Sequence, residues 1–501
     1  MTMILSRSKY TTGRGAFLWR ISLVAVCVQL TGVRGFTSTT IHPNSKSLPV
    51  SISTRRFAAK KQTVAVIGGG IAGLSCATAL QKSGKFIPTV FDTGRLRPGG
   101  RCSSRLPGDP MKKDHTSTQA YPLLSSHIID HAAQIITVPK ELTHFAKQVQ
   151  DWEAQGIIQQ FTPGTVCDVI CSKGTPCRIV PLNSPNQNVN MYYGVNGMGS
   201  IPWTMSKTGT FDVKQDVWVS PSNGVKYVQS GDDAAHWIVK GNGKLLGQFD
   251  NIVIAHNGKC ADRLMSQTPA TELHKLLQVN FSPEVPSWGG SKMTLNSIYS
   301  LTFAIHKNRS PLAQMLPEDT FTSGFIKNQP SLKFISCNTR KHASGTNDDI
   351  EIWTLLSSAK FAKKYKGPQE DLPDDVVNKV TGLLLSSLEQ ALNLKEGILQ
   401  GPIDGPAGCG MILESRLQLW GAGVPLNTWK ATSEPHGFLY DAKFRVGTCG
   451  DWLLDPSIAG AWESGRRLAE YMSTSKHMNV GLEGKFEVSK GVDTAGIGSL
   501  T

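Results

Sequence analysis

Three glycines carry the first readable chemistry of this chain. Gly68, Gly70 and Gly73 keep the G-x-G-x-x-G spacing inside "TVAVIGGGIAGLSCATAL", residues 63–80. The run "TVAVI" before them is β-branched and continuously apolar, which predicts a strand buried on both faces of a parallel sheet. "LSCATALQKSG" predicts a helix ending at Gly84, and "PTVFD" a second strand ending in Asp92. In that setting Gly68 permits a tight turn, Gly70 lets the backbone approach a pyrophosphate, and Gly73 allows helix and strand to pack closely. Ile71 and Ala72 open the helix, whose N-terminus faces the phosphates. Asp92 lies nineteen residues past Gly73, where its carboxylate accepts hydrogen bonds from an adenosine ribose. Strand, turn, helix, strand and acid together predict a dinucleotide site.

Two later stretches decide which dinucleotide. In "RPGGRCSS", directly after the acid, Gly99, Gly100 and Arg101 form a G-G-R sequence that resembles the one following the second strand in flavoproteins of the amine oxidase type. The resemblance implies paired glycines that bring backbone close to the cofactor and an arginine that neutralises phosphate charge. Arg95, Arg97 and Arg105 add more charge than that motif needs. Far downstream, "FRVGTCGDWLLDPSIAGAWESGRRLAEYM" runs as a strand into Gly450 and Asp451; a helix then opens near Pro456 or Ser457, with Ile458 in its first turn and Gly460, Ala461 and Gly465 on one small-residue face. This resembles the second flavin motif of the same superfamily, and the likeness implies that Asp451 binds the ribityl chain. The helix N-terminus would point at the pyrophosphate and the pyrimidine end of the isoalloxazine, where a positive end stabilises an anionic reduced flavin. The motifs stand about 380 residues apart and must meet at one ligand. The cofactor expected is non-covalent FAD.

Further stretches narrow the likeness to the renalase-like branch of the FAD-dependent amine oxidase superfamily. "IIDHAAQIIT", residues 128–137, resembles the branch's D-x-G-A-Q-x-F-T segment, with Asp130, His131 and Gln134 at matching positions. "YYGVNGMGSIPWTM" resembles its Y-x-G-x-x-G-M segment through Tyr193, Gly197 and Met198, and "LQLWGAGVP" a late strand bearing Trp420. "FDNIVIAHNGKCADRL", residues 249–264, resembles the strand returning the chain to the flavin domain. The chain also departs from the pattern. Ala132 stands where glycine is usual, Ala459 where an acid is common, and "SIYSLTFAI" has no lysine where amine oxidases proper carry one at the flavin edge, which argues against simple amine oxidation.

Flavin oxidases ask little of side chains beyond holding the substrate carbon over the ring and excluding other reactions. Gln134, Tyr193 and Trp420 are the candidates for lining the substrate face; Trp452 is expected to pack against the isoalloxazine. His131 and His256 are isolated and read as structural histidines. No G-x-S-x-G stands in a strand–turn–helix context, so hydrolase chemistry has no support. "GPAGCGM", residues 405–411, has glycines but no preceding strand, so a separate nicotinamide domain is not expected. The expected reaction is oxidation of a small molecule directly at the flavin with electrons passed to oxygen; the resemblance adds a dihydronicotinamide nucleotide as one possible substrate. A carotenoid or tetrapyrrole desaturase of the same superfamily and a non-catalytic flavin-binding module are the alternatives.

Composition removes other classes. The net charge of +14 over 501 residues rests on the ten Lys and Arg of residues 1–61, where no acid occurs, leaving +4 for the remainder and no basic groove for nucleic acid. Cys167, Cys171 and Cys177 lack metal-ligand spacing and read as buried thiols. Arg7, Lys9, Arg14 and Arg20 precede the ten-residue apolar run "ISLVAVCVQL", too short to span a bilayer but suited to a signal peptide ending at residue 35. Residues 36–61, rich in Ser and Thr, basic and free of acids, have the composition of a transit peptide. The two in series resemble the bipartite plastid presequence of algae with secondary plastids; secretion is the alternative. No later stretch is a stable membrane span. The fold class expected is α/β, a Rossmann-like FAD-binding domain from 62–140 with 205–265 and 440–475. A second, α+β substrate domain with an antiparallel sheet comes from 141–204 with 266–439, and 476–501 is a flexible tail. "YSLTFAI" and "IEIWTLLSS" suit strands of that sheet, and "DLPDDVVNKVTGLLLSSLEQALNL" an amphipathic helix lying on it.

Overall fold

The computed structural model describes residues 60–110, 121–172, 174–183, 190–229, 235–342, 349–369, 371–399, 411–433, 436–474 and 477–489. The stretches read as a signal peptide and a transit-like segment, up to residue 59, and the loop 405–410 lie outside them. The α/β class read from sequence is what the chain adopts. Gln62–Ile67 is a strand whose last four residues are buried. It sits at the centre of a six-stranded sheet in the order Asp212–Lys214, Phe86–Phe91, Gln62–Ile67, Asn251–Ile254, Val446–Thr448, Leu439–Asp441, parallel except for the last pair. Continuous apolarity is needed because both faces are covered. Val64, Val66, Val90 and Val253 pack in one core with Leu74 and Leu80 of the helix Ile71–Lys82 and with Leu468. Ala65, Ile67, Phe91, Ile252 and Ile254 pack in another with Trp237 and Leu264.

The helix Ile458–Met472 returns from the other end of the chain to lie on the helix Ile71–Lys82. Its small-residue face is the reason it can: a Cβ at Gly465 would meet Ala72 O at 2.1 Å. Ser75 Oγ donates to Trp462 O at 2.7 Å across the contact. The two helices start side by side, above the ends of the central strands.

A seven-stranded sheet stands over that end, in the order Ile412–Trp420, Ile298–His306, Ile350–Ser357, Leu332–Cys337, Ser323–Lys327, Val166–Ser172, Thr175–Pro181, antiparallel apart from one parallel pair. Alternation along Ile298–His306 sorts its two faces. Tyr299, Leu301, Phe303 and Ile305 face a core closed by Val380, Leu384 and Leu388 of the helix Asp374–Ala391, as the period of that helix predicts. Ile298, Ser300, Thr302 and Ala304 point the other way. Trp420, Gln418, Arg416 and Glu414 stand opposite them in register.

One expectation fails inside 476–501. Gly484–Val488 is a strand, not tail, paired antiparallel with Asn427–Ala431 and bringing Phe486 opposite Trp429. A single aromatic holds this otherwise polar segment: Phe486 is 2 % exposed and lies between the rings of Trp429 and Trp452, at 5.0 and 6.3 Å. Residues 490–501 lie outside the described part.

Candidate functional site

A cavity of about 470 Å³ lies where the strand ends, the two helix N-termini and the seven-stranded sheet converge, within the size range of small-ligand and cofactor sites. Gly68, Gly70, Ile71 and Ala72 border it from the first motif, Gly99, Gly100 and Arg101 from the second, and Gly450, Asp451 and Ile458 from the third. Segments about 380 residues apart in the chain thus meet at one space. Gly73 is predicted at the site but lies beneath it. Its role is the turn itself: a Cβ there would come within 1.9 Å of Gly68 O. Gly70 is the N-cap of its helix and carries no side chain to cap it, which leaves the first-turn N–H groups turned toward the cavity. The second helix begins at Ser457, whose side chain accepts from Gly460 N at 3.0 Å. Two positive helix ends aimed at one cavity make an anion-binding end.

Asp92 borders the cavity at the far end of this row, beside Val217, Trp218 and Val219. Its Oδ2 accepts from Gly69 N and its Oδ1 from Gly94 N, both at 2.8 Å. Burial pushes its carboxyl above the usual range, against those two backbone donors. Each oxygen keeps a second lone pair for a ligand hydroxyl. Arg101 and Asp451 meet directly: Nη1 donates to Asp451 Oδ2 at 2.7 Å and Nη2 to Oδ1 at 2.9 Å, while Nη1 also reaches Gly423 O at 3.0 Å. Burial works against the Arg101 charge, but the bidentate acid outweighs it and holds the guanidinium above its ordinary value. The arginine and the aspartate, from two motifs, therefore fix one another's position at the cavity wall.

The end under the seven-stranded sheet is apolar. Trp420, Ile298, Phe325 and Leu356 border the cavity there. The Trp420 indole donates from Nε1 to His131 O at 3.1 Å and stacks on the His131 ring at 5.6 Å and 14°. Burial first, then the positive charges of Arg105 and Arg416, push His131 down to about 3, so it is neutral at physiological pH. His256 borders the cavity too; its Nδ1 lies 3.1 Å from Ile67 O and burial lowers its pKa.

Two candidates for the substrate face are placed elsewhere. Gln134 is fully buried and engaged, its Nε2 donating to Asp130 O at 2.8 Å and its Oε1 accepting from Lys341 Nζ at 2.8 Å. Tyr193 packs its ring against Phe161 at 4.8 Å and His342 at 5.8 Å. Neither borders the cavity. Trp452 does border it, but its ring is stacked on Phe486 and is fully buried.

The sequence gives no signal for the charged cluster below this wall. Asp130, fully buried, accepts from Ser104 Oγ at 2.5 Å and Met198 N at 2.8 Å on Oδ1, and from Lys341 Nζ and His342 Nε2 at 2.9 Å each on Oδ2. Lys341 lies 211 positions from Asp130, and no spacing rule reaches that far. Among the described residues no group of three or more metal-ligating side chains assembles, and no helix is long and apolar enough to cross a membrane.

Removing Asp451 tests this geometry. Asp451→Ala deprives the Arg101 guanidinium of its acid, and flavin affinity is expected to fall at least tenfold when bound cofactor is quantified from the visible spectrum after desalting. Retention of full flavin content would place the cofactor elsewhere.

Comparison with known proteins agrees with the architecture. Residues 66–149 match the family model of the NAD(P)-binding Rossmann-like domain. Among solved structures, a protein provisionally named as a protoporphyrinogen oxidase, from Exiguobacterium sp. 255-15, is similar with a TM-score of 0.51 at 8 % identity, over 83 % of this chain and 100 % of that one. Cyclohexylamine oxidase from Brevibacterium oxydans IH-35A gives 0.50 at 11 % identity, over 83 % and 99 %. At these identities the likeness is one of fold: the chain has the Rossmann-like α/β architecture with an added antiparallel sheet found in these oxidases.

Proposed function

We propose that the protein is an FAD-dependent oxidoreductase that oxidises a small molecule directly at the flavin and passes the electrons to oxygen. One observation carries the reading: three glycine-bearing segments and two helix N-termini, drawn from both ends of the chain, converge on one cavity. The residues suit the cofactor. A Cβ at Gly70 would meet nothing nearer than Gly99 O at 3.9 Å, and one at Gly100 nothing within 4 Å, so the cradle is open for a ligand. Asp92 would hold the adenosine ribose, the uncapped helix start at Gly70 and the Arg101 guanidinium the pyrophosphate charge, and Asp451 the ribityl chain. The second helix N-terminus and Trp420, both at the cavity, would flank the isoalloxazine. Bound there, FAD supplies a two-electron acceptor that oxygen can recharge.

The chain's own part is positioning and exclusion. Ile298, Phe325, Leu356 and Trp420 shape an apolar wall that keeps water from the reacting carbon. His131 is neutral and His256 has a lowered pKa, so neither supplies a resident cation at the wall. Resemblance to the renalase-like branch supports a dihydronicotinamide as substrate, and the two presequence signals in series support action in a plastid. The test is spectroscopic. The purified protein is expected to be yellow, and anaerobic mixing with amines, NADH, NADPH or their isomeric dihydro forms should bleach it rapidly with one class and restore the colour on admitting air. Yellow protein that no donor bleaches would point to a flavin-binding module without turnover, and colourless protein that takes up no FAD would end the proposal.

A further inference from the structure

Among the described residues, Trp452 alone both borders the cavity and carries a buried side-chain polar atom without a partner. Its side chain is fully buried, and its indole Nε1 meets no hydrogen-bond acceptor. An indole N–H can only donate. Left unmet inside the protein, it costs free energy that an acceptor would return. The other buried side-chain atoms without partners, Ser300 Oγ and His131 Nδ1 among them, belong to residues that do not border the cavity.

Gly450 shows where that N–H opens. Its backbone is extended, with φ 165° and ψ 166°, and it borders the cavity. Apart from its two chain neighbours, a Cβ built on Gly450 would meet only two atoms within 4 Å, Trp452 Cδ1 at 3.0 Å and Trp452 Nε1 at 3.1 Å. The other ring atoms lie farther off, so this point stands off the N–H edge of the indole and not over its face. Glycine therefore leaves the donor uncovered at the cavity wall. The ring is held in that pose from behind: it stacks on Phe486 at 6.3 Å and 29°, and Phe486 packs on Trp429 at 5.0 Å.

The preceding residue has the opposite need. Asp451 is acceptor-only, and each of its oxygens, already bonded to one nitrogen of Arg101, keeps a lone pair. A donor-only group and an acceptor-only group on consecutive residues of one wall suit a ligand group that both accepts and donates. A phosphate oxygen would satisfy the indole but not the aspartate; a hydroxyl satisfies both. Resting on the flavin reading above, we propose that Trp452 Nε1–H donates to a hydroxyl of the ribityl chain, which Asp451 holds from the acceptor side. Trp452 then recognises the polyol by its edge, and does not pack against the isoalloxazine as its place in the sequence suggests.

Titration of the apoprotein with FAD, ADP and lumiflavin tests this. ADP has the adenosine and phosphates without the ribityl chain, and lumiflavin has the isoalloxazine without it. Trp452→Phe keeps an aromatic ring against Phe486 and removes the N–H; it should bind FAD about tenfold more weakly and the other two ligands as the parent does. Because Trp452→Phe alters a buried ring, Gly450→Ala serves as the second variant, leaving the indole in place and setting a methyl group against its N–H edge. It should cost a similar factor for FAD and little for ADP or lumiflavin. The double variant should lose scarcely more than either single one, since both remove the same hydrogen bond. Parental FAD affinity in either variant, an equal loss for ADP or lumiflavin, or losses that add in the double variant would overturn the assignment. Parent protein that takes up no FAD defeats the flavin reading; parent protein that binds FAD, with both variants matching it, defeats this inference alone.

Discussion

Gly70→Val is expected to give a folded protein that carries no flavin. Gly70 has φ −76° and ψ −179°, backbone that any residue adopts, and a Cβ built on it meets nothing closer than Gly99 O at 3.9 Å. The ligand-free protein therefore has room for a side chain, and its melting temperature should stay within a few degrees of the parent. The space that valine would fill is the space a pyrophosphate needs, at the mouth of a helix with no side-chain cap. FAD affinity should fall at least a hundredfold, about 2.7 kcal/mol, measured by titrating the apoprotein and following flavin fluorescence. Gly73→Ala provides the contrast. Its Cβ would sit 1.9 Å from Gly68 O, so this smaller substitution should damage the turn itself, lowering melting temperature and flavin content together. A Gly70→Val protein that stays yellow and binds FAD with parental affinity would mean that the cradle is not where the cofactor lies.

The difference between these two glycines also marks what could be read from residues alone. The strand, turn and helix around Gly68, Gly70 and Gly73 are local: each step is set by neighbours within a turn or two, so spacing alone places them. The same holds for Gly450, Asp451 and the helix after them, and for the alternation that marks the strand Ile298–His306. Contacts made across the fold leave no such trace. Nothing in the order of residues announces that Arg101 and Asp451 pair at 2.7 Å. Nor does anything show that Gln134, read as facing substrate, is consumed by Asp130 and Lys341. The strand Gly484–Val488 was illegible for a different reason. Its pattern is short and polar, and what orders it is the pocket between Trp429 and Trp452 that receives Phe486, a tertiary override of weak local preference.

That hidden class of contact includes the one whose loss should cost the most stability. Asp130→Asn is expected to destabilise the protein by about 3–5 kcal/mol, measured by urea unfolding. The carboxylate and the Lys341 ammonium are both without solvent exposure, so solvent cannot take over the charge left behind. The four groups that Asp130 binds, on Ser104, Met198, Lys341 and His342, come from three separate segments, and asparagine can accept from only part of that set. Asp130→Asn with Lys341→Met, which removes both charges, should recover part of the loss, because no unpaired ammonium then stays buried. The pH dependence has a definite sign. Burial opposes ionisation of Asp130, but Lys341 and His342 outweigh it and hold the carboxyl far below its ordinary range. An acid whose pKa falls on folding stabilises the native state above its unfolded pKa, near 3.9, and that contribution declines as pH drops below that value toward the folded one. The parent should therefore lose stability steeply below about pH 4, whereas Asp130→Asn should show a shallower slope there and a lower plateau at neutral pH. A variant that matches the parent at neutral pH would show that the cluster is dispensable to the wall behind His131 and Trp420.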